Sequence, residues 1–219
     1  MGVLIGDALG MGVHWYYDLG ELRRDYGWVE DYTRPRADRY HGGKLEAGEL
    51  TQSGEITSYL LEALAEAEDE AYPAAGFEER LDALFAELDG KREGGRHGWT
   101  NKDVCDVVKR RKFEGKPFGP ATASPTCDTT DSIVRAAVLA ARYSHDLPAL
   151  CEAIRRDASW QYADVGVVGQ SLCFGLIVAL LVRGRPLAPD LSSELYRLAQ
   201  TCTLPFTFLR GDNDDAPGY

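Results

Sequence analysis

Residues 165–182 form an 18-residue run in which only Gln170 and Ser171 are polar. A stretch this long and this apolar has two outlets. It can just span a bilayer, or it can be a helix that other helices surround. No second run of this kind occurs in the chain, and Gly166, Gly169 and Gly175 would let neighbouring helices approach closely. The preferred reading is a buried apolar central helix, with no membrane partner.

The rest of the chain repeats the helical period. Residues 3–13 are small and apolar, with Gly6, Gly10 and Gly12 among them. Thr51 or Ser53 can cap a helix through Ile56, Leu60 and Leu64. Phe77, Leu81, Leu84, Phe85 and Leu88 follow the spacing of one apolar helix face. Further helices are expected from Thr100, from Thr129 or Thr130, from Asp146 with Pro148 in the first turn, and over residues 191–202. No alternating β-branched hairpin signal occurs. The Gly/Pro-rich stretches at 33–48, 90–99 and 115–125 are too short for domain linkers. The expectation is one all-α domain over residues 1–219.

Composition limits the partners. Hydrophobic residues are 44% and charged residues 27%, which suits a globular core and not a disordered chain. The net charge of −11 argues against nucleic acid, which needs clustered Lys and Arg. The run Lys109-Arg110-Arg111-Lys112 reads as a solvated helix face. The five cysteines lack a CxxC pair and are widely spaced, so they read as reduced thiols. The opening residues carry no basic stretch and meet Asp7 early. A cytoplasmic compartment is expected.

Nucleotide-binding signatures are absent: there is no GxxxxGK[ST], and Gly6, Gly10 and Gly12 do not have the dinucleotide spacing. His14, His41, His97 and His145 stand apart and read singly as loop or surface residues. The most informative cluster is Gly211-Asp212-Asn213-Asp214-Asp215. Carboxylates this close repel unless water or a cation screens them, and a hard cation such as Mg²⁺ prefers such oxygen ligands. On its own the cluster also fits a solvated acidic tail.

Gly6-Asp7-Ala8-Leu9-Gly10, the helix after Thr51, and Gly-Asp-x-Asp in Gly211–Asp214 together resemble the ADP-ribosylglycohydrolase family. The resemblance implies an all-α fold of orthogonal helices, one or two Mg²⁺ ions in a cleft, and hydrolysis that removes ADP-ribose from a protein side chain or small acceptor. Its second motif, Thr-Asp-Asp-Thr, falls on Thr51-Gln52-Ser53-Gly54, so two acids are replaced by neutral residues. The third falls on Thr130-Asp131-Ser132-Ile133-Val134-Arg135, and the fourth, Thr-His, on Trp160-Gln161. By resemblance Thr51, Asp212, Asp214 and Asp215 would hold metal. Glu55, four residues after Thr51 on the same helix face, and Asp131 would be the catalytic carboxylates. Asp7, His14 and Gln161 would contact substrate, and Trp15, Tyr16 and Trp28 are candidates for stacking on adenine. Losing two carboxylates, each worth about 4 kcal/mol of Coulomb attraction to a nearby unit charge at an effective dielectric near 20, should weaken a metal position.

The stretch Tyr40-His41-Gly42-Gly43 through Glu55 is most similar to the J1-crystallin-like branch of that family. The alternative is therefore a non-catalytic structural or ligand-binding relative with a degraded metal site. Both termini look short against the family pattern, which predicts a mobile Asp212–Asp215 segment and some exposed apolar surface.

Overall fold

The computed structural model describes residues 1–39, 41–68, 71–126 and 129–200. Among these residues every regular element is helical, and β pairing is limited to isolated bridges, Glu93 with Trp99 and Ser124 with Tyr162. The all-α expectation holds. The chain divides into two compact units, Met1–Asn101 and Lys102–Tyr219.

The first unit contains α1 (Gly2–Met11), α2 (Leu19–Tyr26), α3 (Gln52–Glu66) and α4 (Ala74–Ala86). α3 packs against both α1 and α4. Thr51 is its cap, with Oγ1 accepting from the Gly54 N–H at 3.1 Å, which decides between the two caps the sequence allowed. α3 buries Ile56, Leu60, Ala63 and Leu64, and α4 buries Phe77, Leu81, Leu84 and Phe85, as the spacing predicts. Full burial of each large side chain contributes about 1.5–3 kcal/mol. Arg80 of α4 bonds Glu62 and Glu66 of α3 on the rim of this seam.

α2 has no buried residue, so no apolar period announces it. Polar contacts hold it in place. Asp18 Oδ1 accepts from the Gly20 and Glu21 N–H groups at 2.7 and 3.1 Å, and the Tyr16 hydroxyl donates to Asp25 at 2.9 Å. Gly27, at φ 71°, ends the helix in the left-handed region that glycine enters without strain.

The second unit contains α5 (Lys102–Val108), which passes into one π-helical turn over Lys109–Phe113, and then α6 (Asp131–Tyr143), α7 (Leu147–Ser159), α8 (Val165–Val182) and α9 (Leu191–Gln200). α6, α7 and α8 pack against one another, and α9 packs on α8. Asp146 caps α7 through the Ala149 N–H at 3.0 Å, and Asp164 caps α8 through the Gly166 N–H at 2.7 Å. The expected central helix is thus in place. It is long and apolar enough to cross a membrane, with a mean hydropathy of 2.3, yet half of it is buried inside the protein. Leu172, Gly175, Leu176 and Ala179 face inward, while Val165, Phe174 and Val182 remain exposed, so the burial is not all-round. A Cβ on Gly175 would lie 2.3 Å from Ile154 Cδ1, so the glycine sets how closely α8 approaches α7. Cys105 and Cys151 are buried and Cys173 is half-buried, none of them in a disulfide.

Candidate functional site

Asp7, on α1, reaches the start of α3. Its carboxylate accepts from the Thr51 N–H at 2.8 Å and from the Thr51 hydroxyl at 2.7 Å. The same hydroxyl oxygen caps Gly54, so Thr51 both starts α3 and clamps it to α1. A Cβ on Gly54 would lie 2.1 Å from Asp7 Oδ2, so only glycine leaves room for the carboxylate. Gln52 is buried and donates its amide to Thr100 Oγ1 at 3.2 Å, while its Oε1 has no partner among the described residues.

One turn on, Glu55 lines a cleft of about 460 Å³ together with Lys44, Ser58, Tyr59, Arg96 and His97. Four donors converge on its two oxygens. The Tyr59 hydroxyl and Arg96 Nη2 bond Oε1, the former at 2.6 Å. Arg96 Nε and His97 Nε2 bond Oε2 at 3.1 and 2.7 Å. Two carboxylate oxygens offer about four lone-pair positions, so the group is saturated. Burial alone would push the carboxyl up. Bonds from His97 and Tyr59, with the charges of His97 and Arg96, outweigh burial and hold it below the usual carboxylate range. Burial and the Glu55 carboxylate together raise Tyr59. His97 Nδ1 is buried and has no partner among the described residues.

His41 and His97 lie in loops, as their sequence setting suggests, but they are 5% and 4% exposed, which corrects the surface part of that reading. His41 Nδ1 bonds the His97 carbonyl at 2.8 Å, and its ring stacks on His14 at 5.6 Å between centroids. Burial lowers His41 to about 4, with His14 and His97 adding to it and the His97 carbonyl opposing. His14 itself is exposed and lies 5.8 Å from the Trp15 ring, which in turn meets Trp99 edge-on at 5.9 Å. Trp15 and His41 both hold a positive φ, 65° and 62°, which costs non-glycine residues roughly 1–3 kcal/mol each. Of the other aromatic candidates, Tyr16 is buried and Trp28 is 79% exposed.

In the second unit Gln161 is fully buried. Its Oε1 accepts from Arg135 Nη2 at 2.9 Å and its amide donates to Asp103 at 2.5 Å. Arg135, also fully buried, pairs through Nε with Asp157 at 2.8 Å and stacks on Trp160. Gln161 is therefore placed as a bridge inside a buried polar network rather than on an open face. Asp131 is half-buried at the first position of α6, where its N–H donates to the Tyr162 hydroxyl at 3.0 Å.

Asp212, Asp214 and Asp215 lie outside the described residues. Among those described, no group of three or more His, Cys, Asp or Glu side chains could hold a metal ion. The donors at the start of α3 do not fit one either. Thr51 Oγ1 is engaged by Asp7 and Gly54, Gln52 turns inward to Thr100, and every lone pair of Glu55 faces a protein donor. Arg96, His97 and Tyr59 were not foreseen as a group. The one sequence signal for them is the glycine-rich run Gly94-Gly95-Arg96-His97-Gly98, which can fold a loop back onto a helix.

The helical architecture and the Gly-Asp-Ala-Leu-Gly helix clamped to a threonine-capped helix define a class of fold that comparison identifies. The sequence model of the ADP-ribosylglycohydrolase family matches residues 1–209, and the chain belongs to that family. Membership supports an ADP-ribosylglycohydrolase-like hydrolase activity in general and ADP-ribosylated molecules as partners. No curated protein matches the chain.

Proposed function

We propose that this protein hydrolyses an ADP-ribosyl linkage and releases ADP-ribose from a protein side chain or small acceptor. One observation carries the reading beyond family membership: Glu55 lines a cleft as a carboxylate that Arg96, His97 and Tyr59 keep ionised at neutral pH. In hydrolysis the bond from the anomeric carbon to the acceptor breaks, the acceptor takes up a proton, and water supplies the new oxygen. The transition state resembles an oxocarbenium ion, and a fixed carboxylate stabilises it. Glu55 supplies that negative charge. To take a proton from water it must first exchange one of its four donors, and the uncharged Tyr59 hydroxyl is the proposed one. Asp131, at the N-terminus of α6, is the second candidate carboxylate.

Of the proposed substrate contacts, Asp7 and Gln161 act by positioning, since Thr51, Arg135 and Asp103 occupy their polar atoms. His14, exposed beside Trp15, is the proposed direct contact. Any Mg²⁺ would have to be held chiefly by Asp212, Asp214 and Asp215, and the roles above do not depend on it. Cys105, Cys151 and Cys173, none of them in a disulfide, accord with the cytoplasmic setting proposed here.

The test is release of free ADP-ribose from oxygen- and nitrogen-linked ADP-ribosyl peptides, followed by mass spectrometry. Turnover should fall at least 100-fold in Glu55→Gln while ADP-ribose still raises the melting temperature. Absence of release from every linkage, with no thermal shift on adding ADP-ribose, would overturn the reading. A second reading is a non-catalytic, J1-crystallin-like relative. The inward turn of Gln52 and the saturation of Glu55 favour it. It calls for ligand binding without turnover.

A further inference from the structure

We infer that Arg96 is a built-in counter-cation at the start of α3, and that this chain neutralises the carboxylate there from within instead of with a divalent metal ion. The inference concerns charge balance at Glu55 and does not rest on the proposed hydrolysis.

Helix α3 opens with one acid in its first turn, Glu55. Positions 52 and 53 are neutral, and Gln52 is buried against Thr100. The guanidinium of Arg96 meets Glu55 with two nitrogens, Nε on one oxygen and Nη2 on the other. This is the planar fork arrangement for which arginine is preferred over lysine. A magnesium ion would need these same oxygens at about 2.0–2.1 Å in an octahedral shell. It would have to enter beside a guanidinium already in contact with both.

The loop that carries Arg96 is shaped for this contact. Gly94, Gly95 and Gly98 hold φ values of 107°, 69° and 80°, which glycine adopts without strain. Between them the consecutive residues Arg96 and His97 fall on one carboxylate. Arg96 is also tied to the Tyr59 hydroxyl at 2.9 Å and to Glu87 at 3.3 Å, which fixes the guanidinium from three sides. The remaining acids of the cleft have internal partners as well. Glu49 accepts from the Glu46 N–H at 2.7 Å, and Glu62 accepts from Arg80 at 3.2 Å.

The test titrates Mg²⁺, and separately Mn²⁺, into the full chain. Melting temperature and Mn²⁺ paramagnetic resonance are the readouts. Wild type and Glu55→Gln should respond alike, because any ion bound elsewhere is indifferent to Glu55. Arg96→Gln should melt lower without metal and gain a metal-dependent rise of several degrees. The rise should vanish in the Arg96→Gln/Glu55→Gln double variant. A wild-type metal response that Glu55→Gln abolishes would make Glu55 a metal ligand and overturn the inference. An Arg96→Gln protein that folds but gains no response would overturn it too. If Arg96→Gln does not fold, Arg96→Lys keeps the charge, and its metal response must match wild type; a new Glu55-dependent response there refutes the counter-cation role. None of these readouts requires turnover, so loss of the hydrolase reading would leave the outcome unchanged.

Discussion

Replacing Gly54 by alanine should uncouple α1 from α3. The added Cβ would lie 2.1 Å from Asp7 Oδ2, 2.5 Å from Cγ and 2.9 Å from Oδ1, so the carboxylate must swing away. It then gives up its bonds from the Thr51 N–H and hydroxyl. Hydrogen bonds to a charged group are worth about 1.5–3 kcal/mol each. Asp7 is only half-buried, so water restores part of that. Alanine returns up to about 1 kcal/mol through its better helix propensity. The net loss should be about 2 kcal/mol, a fall of roughly 4–8 °C in melting temperature for a chain of this size. Urea denaturation followed by circular dichroism measures it directly. Gly6→Ala and Gly10→Ala are the controls: a Cβ there has nothing within 4 Å, and both should be neutral or stabilising. Once Asp7 is replaced by alanine, Gly54→Ala should itself become stabilising, because its obstacle has gone. A Gly54→Ala protein as stable as the Gly6→Ala control, or one whose effect is unchanged by Asp7→Ala, would refute the argument.

His41 should make stability fall in mild acid. Its folded value is lowered to about 4 against about 6.5 in the unfolded chain, so its contribution is complete above pH 6.5 and is lost as pH falls through 4. The loss should approach about 3 kcal/mol by linkage, and His41→Asn, which tolerates the positive φ, should flatten that slope in urea titrations at pH 4.5–7. Gly175→Ala would drive a Cβ to 2.3 Å from Ile154 Cδ1 and should cost about 1–3 kcal/mol by overpacking; Ile154→Val should recover most of it, and failure to do so would locate the clash elsewhere. Arg135→Met removes the guanidinium that pairs with Asp157 in the core and should cost about 3–5 kcal/mol, whereas Arg135→Met/Asp157→Leu should recover much of the loss.

What could be read from the sequence depended on how far each interaction reaches along the chain. The caps of α3 and α7 act within three residues, and Thr51 and Asp146 were legible as caps for that reason. The apolar face of α4 repeats locally and gave the helix directly. α2 was not legible because it buries nothing; its anchors are a cap and tyrosine hydroxyls, which carry no period. Glu55 stood out by its spacing from Thr51, but of the side chains that set its charge only Tyr59 is local; Arg96 is 41 residues away, with His97 beside it, in a glycine-rich loop. His97 and His41 look like loop histidines in sequence because they do lie in loops. Their burial follows from that loop closing on α3, an interaction that no local pattern encodes.

The three bonds at Thr51 explain how the helical scaffold can outlast a change of charge in its motif. The clamp uses the Thr51 backbone N–H, the Thr51 hydroxyl and the Gly54 N–H. None of these atoms belongs to the side chain at position 52 or 53. Exchanging acids there for Gln52 and Ser53 therefore leaves the junction of α1 and α3 intact and alters only the electrostatics of the turn. Fewer negative charges near the positive end of a helix forfeit some dipole stabilisation, about 0.3–1 kcal/mol each. They also remove repulsion from Asp7 and Glu55, the carboxylates that remain. With only Glu55 left in the first turn, a single guanidinium can balance the charge where acids at 52 and 53 would demand a cation. Arg96 meets that reduced demand from a loop of the same unit, so the geometry of the junction and its cation requirement are separable properties of this fold.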